Sequence, residues 1–237
     1  MMNYFKKIAI FIFDLIDEYI HQKNILKSIK NENLKIKTFM DIGAHKGKYT
    51  DLFINNYKIR NVYMFEPQLI MFKYIKKKYR NRKSINIYNY GISNKNEKRI
   101  LFINKHDLTS SIKKLNPQNE YLNLKSKLFS TNLQGMIEKK SIIRTINLKN
   151  FFMKKNIKHI DLIKIDTEGH ELEVLLGLEK KIKNVKAFLV EFHDNKTYLN
   201  YNNKKIDKIL SKNNFKLKKI IKFPFATWED RLYLKKH

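Results

Sequence analysis

Three apolar runs in this chain close on an acid. Phe39-Met40-Asp41-Ile42-Gly43-Ala44-His45-Lys46-Gly47-Lys48-Tyr49-Thr50 carries the first: an apolar run reaches Asp41, two glycines bracket a three-residue gap, and a helix-compatible segment follows. A second run ends in Phe65-Glu66-Pro67, and a third in Leu162-Ile163-Lys164-Ile165-Asp166-Thr167-Glu168-Gly169. A strand that turns tightly into a helix is how an open α/β sheet builds a crevice beyond the carboxyl ends of its strands. Three acids at three such ends constrain the fold more than any one of them.

Strand-like and helix-like segments alternate around these runs. Strand candidates are Thr38–Ile42, Val62–Phe65, Ile85–Tyr90, Ile100–Ile103, Ile142–Ile146, Ile160–Ile165, Ala187–Phe192, Phe215–Ile221 and Arg231–Leu234. Helix candidates are Lys48–Asn55, Gln68–Tyr79, Leu172–Ile182 and Lys204–Lys212. Near-continuous apolar strands alternating with helices predict an α/β fold, a mostly parallel sheet with helices on both faces. The last two strands lack a helix-length spacer and predict an antiparallel hairpin at the sheet edge. With 237 residues, the chain suits one domain with a large core. Residues 1–35 read as an N-terminal helical extension and 36–237 as the domain. The polar stretch 104–140, with Thr109-Ser110-Ser111, reads as an insertion or lid.

The absence of cysteine excludes disulfides, thiolate zinc sites, iron–sulfur clusters and a cysteine nucleophile. It fits a reducing cytoplasm. The net charge of +28 has two readings. One is nucleic-acid binding. The other is compositional bias with solvated faces, favoured because six of the 50 cationic residues are arginine and the lysines are spread along the chain. Either way a positive surface attracts anionic substrates or membrane headgroups. Near the N-terminus, Lys6 and Lys7 precede an apolar patch, Ile8 to Phe13, that Asp14, Asp17 and Glu18 interrupt. The patch is too short for a transmembrane segment and lacks a small-residue cleavage site. An amphipathic helix packed on the domain is the expectation, and a helix lying on a membrane surface the alternative.

In the first motif Gly43 allows the tight turn and Gly47 a close approach of helix and ligand. The spacing is not that of a dinucleotide loop, and Asp41 sits where a pyrophosphate would be repelled. The acid suits a cationic ligand such as the amino group and sulfonium of S-adenosylmethionine. Glu66 follows Asp41 by 25 residues, near the offset at which a carboxylate accepts ribose hydroxyls; a plain helix-start acid is the competing reading. If the sheet is doubly wound, the strand before Asp166 neighbours that of Asp41, and the two acids flank one crevice. Thr167 then caps the next helix. Asp166, Glu168, His170 and Glu171 cluster at this junction. They fit a general base or a divalent-metal site of mostly oxygen ligands. Helix-start acids explain Glu168 and Glu171 more simply. Glu191 and His193, two apart on a strand, share a face that can border the same crevice.

The motifs Asp41-Ile-Gly-Ala-His-x-Gly-x-Tyr-Thr50, Phe65-Glu66-Pro67, and Leu162-Ile-Lys-Ile-Asp-Thr-Glu-Gly-His-Glu171 followed by Val174-Leu175-x-Gly177 resemble the FkbM family of S-adenosylmethionine-dependent methyltransferases. The resemblance runs from Thr38 to His193 and implies a class I methyltransferase sheet with a final antiparallel strand. It implies that Asp41, Gly43, Ala44 and Gly47 form the cofactor loop, with His45, Tyr49 and Thr50 in the same motif. Glu66, beside Pro67, falls on the ribose, Gly91 to Ser93 on the adenine-side wall, and Asp166 at the cofactor–acceptor junction. The chain departs from the family at His45, where asparagine is frequent, and at Thr167, where valine is common. Leu148-Lys149-Asn150 replaces an acidic Leu-Asp. Members similar to this chain mostly methylate hydroxyl groups, often on sugars or secondary metabolites.

The expected function is therefore O-methylation of a glycan, glycolipid precursor or related small molecule, with Asp166 or His170 as base and Glu168 and Glu171 orienting the acceptor. The positive charge keeps an RNA ribose 2′-O-methyltransferase as the alternative. Amine methylation is disfavoured by the lack of a Pro-Pro-aromatic motif, and cytosine-C5 methylation by the lack of cysteine. A non-catalytic binding scaffold is the third reading, opposed by the glycine loop and Glu66. Metal dependence stays open.

Overall fold

A computed structural model describes residues 15–104, 110–120, 122–123, 137–224 and 227–236. The apolar patch at 8–13 and much of the 104–140 segment lie outside them.

Among the described residues ten strands divide into two sheets. The main sheet has seven strands: β1 (Thr38–Ile42), β2 (Asn61–Phe65), β3 (Ile85–Tyr88), β7 (Ile160–Ile165), β8 (Val185–His193), β9 (Phe215–Lys222) and β10 (Trp228–Lys235). Their spatial order is β3-β2-β1-β7-β8-β10-β9. Pairs from β3 to β8 are parallel, whereas β10 runs antiparallel to both β8 and β9. The hairpin thus lies at the edge, with its second strand on the inside. The remaining strands, β4 (Gly91–Ile92), β5 (Glu97–Asn104) and β6 (Ile137–Ile146), form a separate sheet in the order β4-β6-β5. The apolar runs at 100–103 and 142–146 therefore belong to a second layer. Ile100 and Ile142 are 49% and 73% exposed there, so one face of this small sheet is open.

Successive residues of a strand face opposite sides, and the core divides accordingly. Met40, Ile42, Ile163, Ile165 and Phe188 enter one cluster. Phe39, Leu162, Ala187 and Leu189 enter the other. Burial on both faces is why β1, β7 and β8 read as continuous apolar runs. Among the described residues six α-helices accompany the sheets: α1 (Gln22–Asn31), α2 (Lys48–Asn56), α3 (Leu69–Lys78), α4 (Leu148–Lys154), α5 (Glu171–Leu176) and α6 (Asn203–Lys212). Helix α1 inserts Ile25 and Ile29 into the second cluster.

The expected single helix over 172–182 is divided. Helix α5 ends at Leu176, and a 3-10 turn, Glu179–Asn184, follows. Gly177 lies against Ser93, whose carbonyl oxygen is 2.2 Å from where a Cβ would stand. The chain bends where that approach is needed.

Candidate active site

From β1 the chain extends outward through β2 to β3 on one side and through β7 to β8 on the other, so the carboxyl ends of β1 and β7 open a crevice. Gly43 leaves β1 with φ +85°, and a Cβ there would lie 1.7 Å from the Asp166 carbonyl oxygen. The two strand ends touch through backbone: Asp166 N–H donates to the Ile42 carbonyl at 3.0 Å. Gly47, φ +76°, starts α2, and the Tyr79 hydroxyl donates to its carbonyl at 2.9 Å.

A cleft of about 760 Å³, open to solvent, lies over these ends. Gly43, His45, Glu66 and Pro67 line one side; Asp166, Thr167 and Glu168 line the other. Gly91 contributes to a wall with Tyr90 and Ile92. Ser110 and Ile112 join it from the 104–140 segment.

Glu66 is held by backbone. Its Oε2 accepts from His45 N–H and its Oε1 from Gln68 N–H, both at 2.7 Å. Burial still pushes its carboxyl up to about 7, against the pull of those two donors. Across the cleft, Asp166 is a quarter exposed, with Lys164 Nζ 3.5 Å away. Burial, then the neighbouring Glu191 carboxylate, hold Asp166 well above the usual carboxylate range. Burial likewise takes Glu168 to about 7 and Glu191 to about 8. Glu168 adopts a left-handed backbone, φ +53°, and the Tyr198 hydroxyl donates to its Oε2.

Several predicted residues support the site from behind. Asp41 does not border the cleft; its Oδ2 accepts from the Thr50 hydroxyl at 2.6 Å beneath the start of α2. Burial raises its carboxyl to about 6. Ala44, Gly47 and Thr50 shape the loop without lining the cavity. Tyr49 donates to Asp230 at 3.0 Å, and the Lys164 ammonium sits over its ring at 4.5 Å.

His170 is fully buried, with Nε2 3.0 Å from Ser93 Oγ and Nδ1 3.5 Å from Glu173. Burial lowers it to about 4, so its imidazole stays neutral and weakly basic. Both His170 and Ser93 stand behind the cleft wall. Glu171 has no exposure either: its Oε1 accepts from Thr167 N–H, the Thr167 hydroxyl and Gly169 N–H, at 3.0–3.1 Å. It ties down the loop that carries Asp166 and Glu168. The expected quartet of Asp166, Glu168, His170 and Glu171 therefore does not converge. Asp166 and Glu168 face the cleft, while His170 and Glu171 brace it.

The strongest electrostatic feature went unread in the sequence. Lys164 is fully buried in β7, 2.8 Å from Asp230 of β10, itself 2.8 Å from His21. Burial alone would depress Lys164, but Asp230, Asp166 and Glu191 overcome it and hold the ammonium above its ordinary range. The signal was a lysine between two isoleucines, Ile163 and Ile165, in a strand.

A search of curated protein sequences finds no match. Among solved structures, a methyltransferase FkbM from Methylobacillus flagellatus is 15% identical, with a TM-score of 0.54. The alignment covers 84% of this chain and 43% of that one, so the chain spans less than half that protein's length. A magnesium protoporphyrin IX methyltransferase from Synechocystis, solved with bound SAM, is 10% identical with TM-score 0.51, covering 94% of this chain and 81% of the other. A SAM-dependent methyltransferase from Aquifex aeolicus is 14% identical with TM-score 0.51, covering 94% and 93%. These likenesses are of fold, and the fold is that of class I methyltransferases. Residues 41–217 match the family described as the methyltransferase FkbM domain. That span begins at the first acid and runs through both others into β9, and the chain belongs to the FkbM methyltransferases.

Proposed function

We propose that the cleft binds S-adenosylmethionine and that the protein transfers its methyl group to a hydroxyl of a glycan, a glycolipid precursor or a related small molecule. One observation carries this: Glu66, fixed by two backbone N–H groups, faces the cleft that Asp166 borders from the opposite strand end. A carboxylate so placed accepts the paired hydroxyls of a ribose. The Gly43 turn leaves no side chain between ligand and backbone, and the cleft is lined by apolar side chains with a few carboxylates converging on it.

The cofactor supplies a methyl group on a cationic sulfur. The protein's part is alignment and charge. A cation beside Asp166 and Glu168 favours their ionised forms, against the burial that raises them. Asp166 then takes the proton from the acceptor hydroxyl as the oxygen bonds to the methyl carbon and the carbon–sulfur bond breaks. The mixed wall of Tyr90, Ile112 and Ser110 suits an acceptor with apolar and hydroxyl surfaces.

Calorimetry with S-adenosylmethionine tests the donor half, and radiolabelled methyl transfer to glycan, glycolipid and RNA fractions tests the acceptor half. Asp166→Asn should keep cofactor affinity and lose turnover. A folded wild-type chain that does not bind the cofactor ends this reading; labelling confined to RNA replaces its acceptor.

A further inference from the structure

We propose that Glu168, Glu191 and His193 bind a divalent first-row metal ion that accepts mixed nitrogen and oxygen donors, Mn²⁺ or Zn²⁺ in class. The site adjoins the Asp166 side of the cleft. Its role in catalysis rests on the methyl-transfer reading above; its existence rests on the geometry alone.

Each of the three residues offers one donor atom, and these atoms lie within 4.8 Å of one another. His193 Nε2 is 3.3 Å from Glu191 Oε2 and 3.7 Å from Glu168 Oε2. Metal–ligand bonds of about 2.0–2.2 Å set neighbouring donors about 2.9–3.6 Å apart, so small side-chain adjustments close the site. Glu191 and His193 are more than nine-tenths buried, with side-chain exposures of 8% and 7%. Glu191 Oε2 and His193 Nε2 form an ion-pair contact with each other, yet neither makes a hydrogen bond. Two buried polar atoms left unsatisfied and pointing at one spot are costly unless something occupies it.

The charges agree. Asp166, Glu168 and Glu191 bring three carboxylates together, and the buried Lys164 ammonium beside them is shared between Asp230 at 2.8 Å and Asp166 at 3.5 Å. A divalent ion supplies the missing positive charge. An outer shell holds the donors. The Tyr198 hydroxyl donates to Glu168 Oε2, His193 N–H donates to the Tyr201 hydroxyl at 3.1 Å, and Asn203 Nδ2 donates to the His193 carbonyl at 2.8 Å. Such partners orient metal ligands. An imidazole with two carboxylates suits Mn²⁺ or Zn²⁺ better than Mg²⁺ or Ca²⁺, which favour oxygen alone. Glu168 also lines the cleft. An ion held there would polarise an acceptor hydroxyl and ease loss of its proton to Asp166.

The competing arrangement is a protonated His193 clamped between two glutamates with no ion. Equilibrium titration of the chelator-treated chain with Mn²⁺, followed by electron paramagnetic resonance, separates the two; Zn²⁺ competition reports the same site. One ion per chain is expected, with at least about a hundredfold loss of affinity in His193→Gln or Glu191→Gln and about tenfold in Tyr198→Phe. Wild type taking up neither ion, or His193→Gln binding as wild type does, overturns the proposal. A Mn²⁺-dependent rise in the wild-type unfolding midpoint supports it even if a variant fails to fold, and no rise with either ion counts against it. S-adenosylmethionine calorimetry runs alongside. Cofactor binding without metal uptake defeats the metal site and leaves the function standing. Metal uptake without cofactor binding does the reverse.

Discussion

Lys164 and Asp230 form an ion pair at 2.8 Å in which neither side chain has any exposure. It joins β7, which ends one residue before Asp166, to β10, the antiparallel strand. Removing one partner strands the other charge in the core, at about 3–5 kcal/mol. Lys164→Met should lower stability by that amount in denaturant unfolding, despite the partners His21 and Tyr49 that Asp230 retains. Adding Asp230→Asn should recover part of the loss. A single variant as stable as wild type would mean that the pair contributes nothing.

Gly43→Ala is expected to be severe. The residue has φ +85°, and its Cβ would stand 1.7 Å from a backbone oxygen that cannot rotate away. Stability should fall by more than about 1 kcal/mol, and cofactor affinity by more than tenfold, on the order of 1.4 kcal/mol. Gly91→Ala is the contrast. Its Cβ would meet the Ile143 and Thr145 side-chain methyls at 3.1 and 3.2 Å, where neighbours can shift. Unfolding and calorimetry on both variants should rank Gly43→Ala as the more damaging.

Glu66 is expected to set the pH dependence of S-adenosylmethionine binding. Burial places its carboxyl at about 7, and the ionised form is the one that accepts two hydroxyl protons. Affinity for S-adenosylmethionine should therefore rise with pH through 7 and level off above it. In Glu66→Gln the affinity should be weaker throughout, and the rise should shrink. Calorimetry from pH 5.5 to 8.5 gives the profile, and an unchanged profile in the variant would assign it to another group.

Stability of the ligand-free protein should run the other way. Glu66 and Glu168 are raised to about 7 and Glu191 to about 8, chiefly by burial. In the unfolded chain these groups ionise near 4.5, so from pH 6.5 up to about 8 the native state still holds a share of protons that the unfolded chain has lost, and the difference fades toward pH 8.5. A folded pKa above the unfolded value gives stability that is lost as pH rises through it. The unfolding free energy should fall across this window by as much as about 1.4 kcal/mol per pH unit for each proton held. His170, lowered to about 4, acts oppositely but below 6.5, where its unfolded form takes up a proton. Urea titrations at pH 6.5, 7.5 and 8.5 check the slope, and Glu191→Gln should reduce it.

How far the sequence could be read depended on whether a residue's neighbours were close along the chain. Strands β1 and β7 match their apolar runs end to end because each is buried on both faces. The closeness of the Gly43 turn to Asp166 followed from the doubly wound order. Helix α4 escaped notice because it spans seven residues, although Asn147, which accepts from Asn150 N–H, is an ordinary N-cap signal. That β5 and β6 form their own sheet was hidden, since periodicity gives no strand partners. Inside the site, Glu171 follows Glu168 by three residues, a spacing that suits one helix face, with His170 between them. The left-handed residues Glu168 and Gly169 turn the chain before α5 begins, so the acids diverge. Asp41 was placed at the ligand from its charge and from the family motif; its carboxylate accepts from the Thr50 hydroxyl and does not line the cleft.

The placement of β10 inside the sheet imposes a schedule on synthesis. Strand β9 has no sheet neighbour other than β10, and β8 has one open edge until β10 fills it. The ribosome completes β8 at His193 and reaches Lys235, the end of β10, 42 residues later. At roughly 5–20 residues per second this lasts on the order of seconds. Throughout that interval a long apolar strand stays unpaired on one side and Lys164 waits for its counter-charge. Slow codons between 194 and 235 would prolong the time in which nascent chains can pair with each other along β8.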